Sequence, residues 1–473
     1  MLAERFLLPL RRGTRARKLV ASSPSSSIPP RCKPASLARN LSSAKVDYEE
    51  FIRPHALRRE ASPIRALTPL LKIPGMISLG GGLPNPELFP FKSMNFEVDD
   101  GSVLSFTEGE LKDALQYSNT PGLPALLEFL ETLQAEEHKK PKTDEWSMCV
   151  QTGSQEGIAK AVDMLIGSED TVLVDNPTYA GTLALMRPIG CNLIGVRCDA
   201  EGMVPEDLLR ILEEAKQKGV RPKVLYTVPI GQNPSGCTAT EHRKQKLYQI
   251  ACDWNLLILE DDPYRFLHYG TEPHPSDTQV AEWTRPKSKS LFSMDVEGRV
   301  MRFDSFSKIL SSGLRLGFVT GPSPLINRIN LHTQASNLHP SGISQAFCAK
   351  LLQHWGFEGW ERHVKRVALY YMKRRDIFED LSRKYLSEYA EWTTPSAGMF
   401  VWFKLKGIQD TQELIQKKAM EEKVILLPGQ AFSPDNSKSE YVRAAFSTAT
   451  PEAMDEALSR FQKLLIDAAS QGK

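Results

Sequence analysis

VMRFDSFSKILSSGLRLGFVT, residues 300–320, sets a lysine between two strands. Its flanks, Val300–Asp304 and Leu316–Thr320, are short apolar runs, and the loop between them carries Ser305, Ser307, Lys308 and Arg315. A lysine on a loop is ordinarily a solvated cation. Between two buried strands and among small hydroxyls a charge is poorly placed, and the amine has another use there, as a neutral nucleophile toward an aldehyde. The two serines and the planar fork of Arg315 offer donors to an anion such as phosphate. SFSK also fits the S-x-x-K pattern of β-lactamases, but no S-D-N or K-T-G accompanies it.

The same rhythm of apolar run and amphipathic stretch extends upstream. Thr171–Asp175, Leu193–Arg197, Val224–Val228 and Leu256–Glu260 read as strands, and Gln155–Ile166, Pro205–Gln217 and Glu241–Trp254 as helices. Continuous apolar strands alternating with helices predict an α/β fold, its mostly parallel sheet covered on both faces and its ligands held at the carboxyl ends of the strands. Downstream of about Phe357 the pattern changes. A long helix at Gly359–Tyr385, strands at Met399–Lys404 and Val424–Leu427, and helices over 410–422 and 451–468 predict a smaller α+β unit. Tyr48–Pro90 lacks a period and is expected to drape over the larger units. The division is therefore 1–45 extension, 46–90 arm, 91–355 large domain and 356–473 small domain.

Chemistry-bearing residues fall at the strand ends. LILEDDPYRFL (257–267) closes a strand with Asp261 and, three residues on, Tyr264, so a carboxylate and a phenol can enter one cleft. TVPIGQNPSG (227–236) leads into an Asn-Pro turn; turn chemistry alone accounts for it, or else Asn233 presents its amide to a ligand, and a cis Asn233–Pro234 bond is expected. TGSQEGIAKA (152–161) opens a helix with Ser154 and Gln155, whose free N–H groups suit a phosphate. Tyr179 in DNPTYAG (175–181) is either a packed core ring or one stacked on a flat ligand.

Composition narrows the field. With 41% hydrophobic and 25% charged residues the chain is globular, and no apolar run approaches the ~20 residues of a membrane span. The formal charge is +2, but residues 1–45 hold ten Lys/Arg against Glu4, leaving the remainder at −7, which argues against a nucleic-acid partner. The seven cysteines form no C-x-x-C pair and read as reduced intracellular thiols, and no Cys/His cluster has metal-ligand spacing. The first 45 residues, rich in Arg and Ser with Pro breakers, have the composition of an organellar transit peptide, mitochondrial before chloroplast; the alternative is a basic tail of no address.

Jointly these motifs resemble the fold-type I pyridoxal-phosphate aminotransferases, and within them the kynurenine/α-aminoadipate group that includes fungal aromatic-amino-acid aminotransferases. ASPIRAL (61–67), ISLGGGLPNPELFPF (77–91), ALQYSNTPG (114–122), DSFSKILSSGLRLGF (304–318), AGMFVW (397–402), LLPGQAF (426–432) and YVRAAFS (441–447) carry the resemblance in order over roughly 50–470. It implies a large domain with a mostly parallel seven-stranded sheet and a smaller α+β domain. It further implies pyridoxal 5'-phosphate bound as a Schiff base on Lys308, with Asp261 on the ring nitrogen, Asn233 and Tyr264 on the ring oxygen, and Tyr179 stacked on the ring. Ser154, Gln155, Ser305, Ser307 and Arg315 form the phosphate cup, joined by Tyr117 from a second subunit of a homodimer. Arg443 grips the substrate α-carboxylate, and Gly82 and Arg65 belong to a substrate lid. The implied reaction is ping-pong transamination of kynurenine, 2-aminoadipate or aromatic amino acids with 2-oxoglutarate.

Three rivals stand beside this reading. A pyridoxal-phosphate-sensing regulator needs a winged-helix module that residues 1–45 are too short to supply. A dehydrogenase needs a G-x-G-x-x-G after a strand, and the sequence has none. A β-eliminating enzyme acting on cysteine conjugates shares the fold and differs in its products, ammonia and thiol instead of glutamate.

Overall fold

Seven runs build the central sheet of the computed structural model, which describes residues 46–66, 73–77 and 79–471. In chain order they are β1 (Trp146–Gln151), β2 (Thr171–Asn176), β3 (Asn192–Asp199), β4 (Val224–Thr227), β5 (Leu257–Asp261), β6 (Val300–Ser305) and β7 (Gly317–Pro322). Their order across the sheet is 1-7-6-5-4-2-3, and a two-residue strand, Gly202–Met203, folds back on β3 as an eighth. The contacts β6–β5, β5–β4, β4–β2 and β2–β3 are parallel, while β7 runs antiparallel to both β1 and β6. Strands β2, β4 and β5 are buried on both faces because helices cover both sides.

The helices form where the sequence places their stripes. In α3 (Pro205–Gln217) Leu208, Ile211, Leu212 and Ala215 fall at helical spacing and are buried, and Pro205 stands at the first turn, where its missing N–H costs nothing. Thr240 caps α4 (Glu241–Asp253) by accepting from the Arg243 N–H. Helix α1 (Ser154–Leu165) lies so close to β7 that a Cβ on Gly157 would stand 2.4 Å from Val319 Cγ2. β1 was not anticipated from the sequence, since WSMCVQ mixes polar and apolar residues although all but Ser147 are buried.

After β7 a long helical stretch, Gly342–Leu386, bends at Gly356, whose φ is +57°. A four-stranded antiparallel sheet follows, with β8 (Phe400–Leu405) and β9 (Tyr441–Ala445) at its centre. The expected strand Val424–Leu427 is shortened to Leu427–Pro428, because the Val424 N–H bonds back to Ala419 O and closes the preceding helix instead. Among its described residues, the arm expected over 46–90 makes four short helical turns, and Phe51 and Ile52 anchor its start. The expected leader in 1–45 lies outside the described residues. Among those residues no helix is long and apolar enough to cross a membrane.

Candidate active site

Strands β1, β2, β4, β5 and β6, which run in one direction, deliver their carboxyl ends to one cleft of about 210 Å³. Ser154 and Gln155 enter it after β1, Tyr179 after β2, Val228 and Asn233 after β4, Asp261, Pro263 and Tyr264 from β5, and Ser305, Ser307 and Lys308 after β6. Arg315 joins from the turn before β7, and Phe400 from β8.

One end of the cleft is built for an anion. Gly153 caps α1 at φ +78°, and a Cβ there would stand 2.7 Å from Arg315 Nη2, so the bare backbone lets the guanidinium lie over the helix terminus. Arg315, itself left-handed at φ +51°, donates from Nη1 to the Ser312 carbonyl at 3.0 Å and to Ser307 Oγ at 3.5 Å. Ser305 Oγ accepts the Ser307 N–H at 3.2 Å.

The other end is built for a cation. Asp261 is buried, and its Oδ2 accepts the Tyr226 hydroxyl at 2.6 Å while Oδ1 has no partner among the described residues. Burial pushes this carboxyl up to about 7 against the pull of the Tyr226 hydrogen bond, and Asp262 and Asp304 push it further. Tyr226 was not singled out in the sequence, where its one signal is a phenol inside the otherwise aliphatic stretch VLYTV. Burial also raises Tyr179 and Tyr264, keeping both as neutral phenols. A Cβ on Gly181 would sit 2.4 Å from Tyr179 Cζ, so glycine there makes room for the ring.

Lys308 stands among these groups. Burial lowers its amine, and the cations Arg315 and Arg443 lower it further, which favours the neutral, nucleophilic form. Arg443 reaches in from β9. Its Nη1 donates to Asn233 Oδ1 at 2.8 Å, its guanidinium lies over the Phe400 ring at 4.3 Å, and its Nε has no partner among the described residues. The Asn233–Pro234 bond is cis, as is Asn176–Pro177.

Tyr117, Arg65 and Gly82 stand apart from this lining. Tyr117 is 51% exposed, with the Arg65 guanidinium 5.7 Å from its ring centroid, and Arg65 Nη1 donates to Ser118 O at 3.0 Å. Gly82 is exposed, and a Cβ there would meet no described atom within 4 Å.

Residues 97–461 match the family described as aminotransferase class I and II. The kynurenine/alpha-aminoadipate aminotransferase, mitochondrial, of Bos taurus is 42% identical over 435 residues, covering 89% of this chain and 99% of its own. The crystal structure of the aromatic aminotransferase Aro9 from Candida albicans is similar at a TM-score of 0.80 and 26% identity, over 90% of this chain and 99% of that one. LysN, an alpha-aminoadipate aminotransferase from Thermus thermophilus in complex with N-(5'-phosphopyridoxyl)-L-leucine, is similar at a TM-score of 0.65 and 27% identity, over 90% of this chain and 100% of that one. The donor set here suits a phosphopyridoxyl group. Arg315, the serines and the α1 terminus match a phosphate, and the unpartnered Asp261 Oδ1 matches a protonated ring nitrogen.

Proposed function

Because the chain belongs to the class I and II aminotransferases and uses pyridoxal 5'-phosphate, we propose that it moves the amino group of kynurenine, 2-aminoadipate or an aromatic amino acid to 2-oxoglutarate. The observation that carries this is the lowered Lys308 amine between an anion cradle and an unpartnered buried carboxylate oxygen.

When bound, the cofactor supplies an aldehyde and a ring that takes up the electrons released at the substrate Cα. Ser154, Gln155, Ser305, Ser307 and Arg315 hold its phosphate. Asp261 Oδ1 accepts the ring N–H while Tyr226 fixes the other oxygen. Asn233 and Tyr264 serve the ring oxygen, and Tyr179 covers one face. Arg443 takes the substrate α-carboxylate with the guanidinium edge that Asn233 leaves free. Lys308 Nζ would carry the Cα proton; such general acid–base help is worth roughly 10²–10⁴-fold. Donor and acceptor use the Arg443 grip in turn, so initial-rate plots are parallel lines.

Exposed apolar side chains along the arm, among them Ile77, Leu79 and Leu88, support burial against a second copy of the chain. The reading therefore extends to a homodimer in which Tyr117 serves the neighbouring phosphate cup and Arg65 and Gly82 form the lid. It keeps the division 46–90, 91–355 and 356–473. The mitochondrial names of the mammalian relatives and the basic, Ser-rich start support cleavage of residues 1–45 on import.

Borohydride reduction of the holoenzyme followed by peptide mapping tests the core of this reading. The pyridoxyl adduct is expected on Lys308, and an adduct elsewhere, or failure to take up the coenzyme, overturns it. A panel of kcat/KM values with 2-oxoglutarate then ranks the donors.

A further inference from the structure

Side chains alternate along β5, so Asp261 faces the cleft while Glu260 and Asp262 face the opposite side of the sheet. Arg302 lies in register with Glu260 on the adjacent β6, and Asp304 follows two residues later on the same face. The result is an ion layer buried directly behind the cofactor-facing carboxylate. Arg302 Nη1 meets Asp262 Oδ2 at 2.8 Å and Glu260 Oε2 at 3.3 Å. Its Nη2 and Nε hold the two oxygens of Asp304 at 2.6 and 2.9 Å. Arg302 and Glu260 are 0% exposed, and Asp262 and Asp304 2%.

Neighbouring elements complete the layer. Gln134 Nε2 donates to Asp304 Oδ2 at 3.0 Å, and Arg265 lies 3.9 Å from Asp262. Glu137 pairs with Arg265 and Arg285, Lys244 of α4 acts on Glu260 and Asp262, and the Leu291 and Phe292 N–H groups cap Glu260. On the cleft side Asp261 meets the phenols Tyr226, Tyr179 and Tyr264. Arg302 thus touches all three carboxylates of the layer, of which Asp262 and Asp304 raise Asp261. A buried ionic layer of this kind adds little to stability compared with apolar packing, so its effect is to be sought in the field it casts. With Arg302 in place the layer behind Asp261 is nearly neutral. Without it, Asp304 loses both guanidinium hydrogen bonds and Asp262 keeps only Arg265 at 3.9 Å and the field of Lys244, so the layer presses more negative charge on Asp261 across a low-dielectric interior, where such repulsion is strong.

We infer that Arg302 is a positioning residue for transamination, which screens Asp261 from Asp262 and Asp304 so that Asp261 meets the ring nitrogen as an anion and the shared proton stays on the ring. This rests on the pyridoxal-phosphate reading above. If Arg302 did not screen, the proton would pass from ring nitrogen to Asp261, and the ring would lose the charge that draws electrons from Cα.

The test uses holoenzyme reconstituted with ring-15N cofactor, read by the nitrogen shift at neutral pH, alongside apoenzyme labelled with 13C-aspartate in which Asp261→Asn assigns the Asp261 signal. Arg302→Gln is expected to shift the nitrogen toward its unprotonated value, raise the Asp261 midpoint by at least about one pH unit, and lower kcat about tenfold with KM little changed. Arg302→Lys, which keeps the charge, restores all three. Asp304→Asn is nearly isosteric and keeps the question open to measurement if Arg302→Gln does not fold; it is expected to lower the Asp261 midpoint. Unchanged nitrogen shift and unchanged Asp261 midpoint in folded Arg302→Gln, or an unmoved midpoint in Asp304→Asn, overturn the inference. Coenzyme that fails to bind even the wild-type chain overturns the underlying reading instead.

Discussion

Lys308 and Asp261 are opposite cases of what burial does to a charge. Burial moves the amine toward its neutral form, which its chemistry needs, and the carboxyl toward its protonated form, which its chemistry does not. Lys308→Ala is expected to fold and to bind the coenzyme without a covalent link. Its turnover should fall by on the order of 10⁴-fold or more, since both the covalent attachment and the proton carrier are lost; a coupled glutamate assay measures it. Asp261 yields a pH signature in the apoenzyme. Its native value of about 7 lies above the ordinary ~3.9 of an unfolded Asp, so the native state binds the extra proton between these limits. The ionised carboxyl therefore costs stability above pH 7, and that cost fades as pH falls toward 4. Apo Asp261→Asn should accordingly have a higher Tm than the wild-type apoenzyme at pH 8, with the gap closing toward pH 4 in calorimetry. Lys308, Asp261, Asn233 and Tyr264 were legible in the sequence because each is an odd residue at the end of an apolar run. Tyr226 and Arg302 were not, because a single polar residue inside such a run looks the same whether it serves a neighbour across the sheet or not.

At the scale of elements, the strand and helix periods carried most of the large sheet, and α3 occupies Pro205–Gln217 as expected. What failed did so for local reasons. β1 is a polar-looking strand made buried by its neighbours, and the Val424 segment spends its N–H on a helix end. The cradle at the start of α1 depends on Gly153, whose φ +78° and ψ 162° suit glycine almost alone. Gly153→Ala adds a Cβ 2.7 Å from Arg315 Nη2 on top of about 1–3 kcal/mol of backbone strain. We expect a Tm lower by several degrees and coenzyme affinity weaker by about tenfold or more, read by fluorescence titration. The same substitution at Gly219, also at positive φ (+69°) but with no described atom within 4 Å of a Cβ, separates the strain from the clash.

For the whole molecule, the site is assembled from two sheets. The cradle, the amine and Asp261 belong to the large sheet, whereas Arg443 belongs to the small one and crosses to Asn233. Sequence reading singled out all of them; Tyr117, expected to serve a second subunit, and Arg65, expected in a lid, stand apart from the cleft lining. Arg65→Ala should leave phenylalanine turnover within a few-fold and reduce kcat/KM for 2-aminoadipate by about tenfold, as loss of one charge-assisted hydrogen bond predicts. Equal effects on the two donors remove Arg65 from the lid.

The bridge from Arg443 to Asn233 also sets an order of events during synthesis. Ser154, Asn233, Asp261 and Lys308 all leave the ribosome ahead of Arg443, so a growing polypeptide possesses the residues assigned to the vitamin before it possesses the one assigned to the amino acid. Phe400 and Arg443, the last of these side chains to be made, then finish the wall of the cleft from the small sheet.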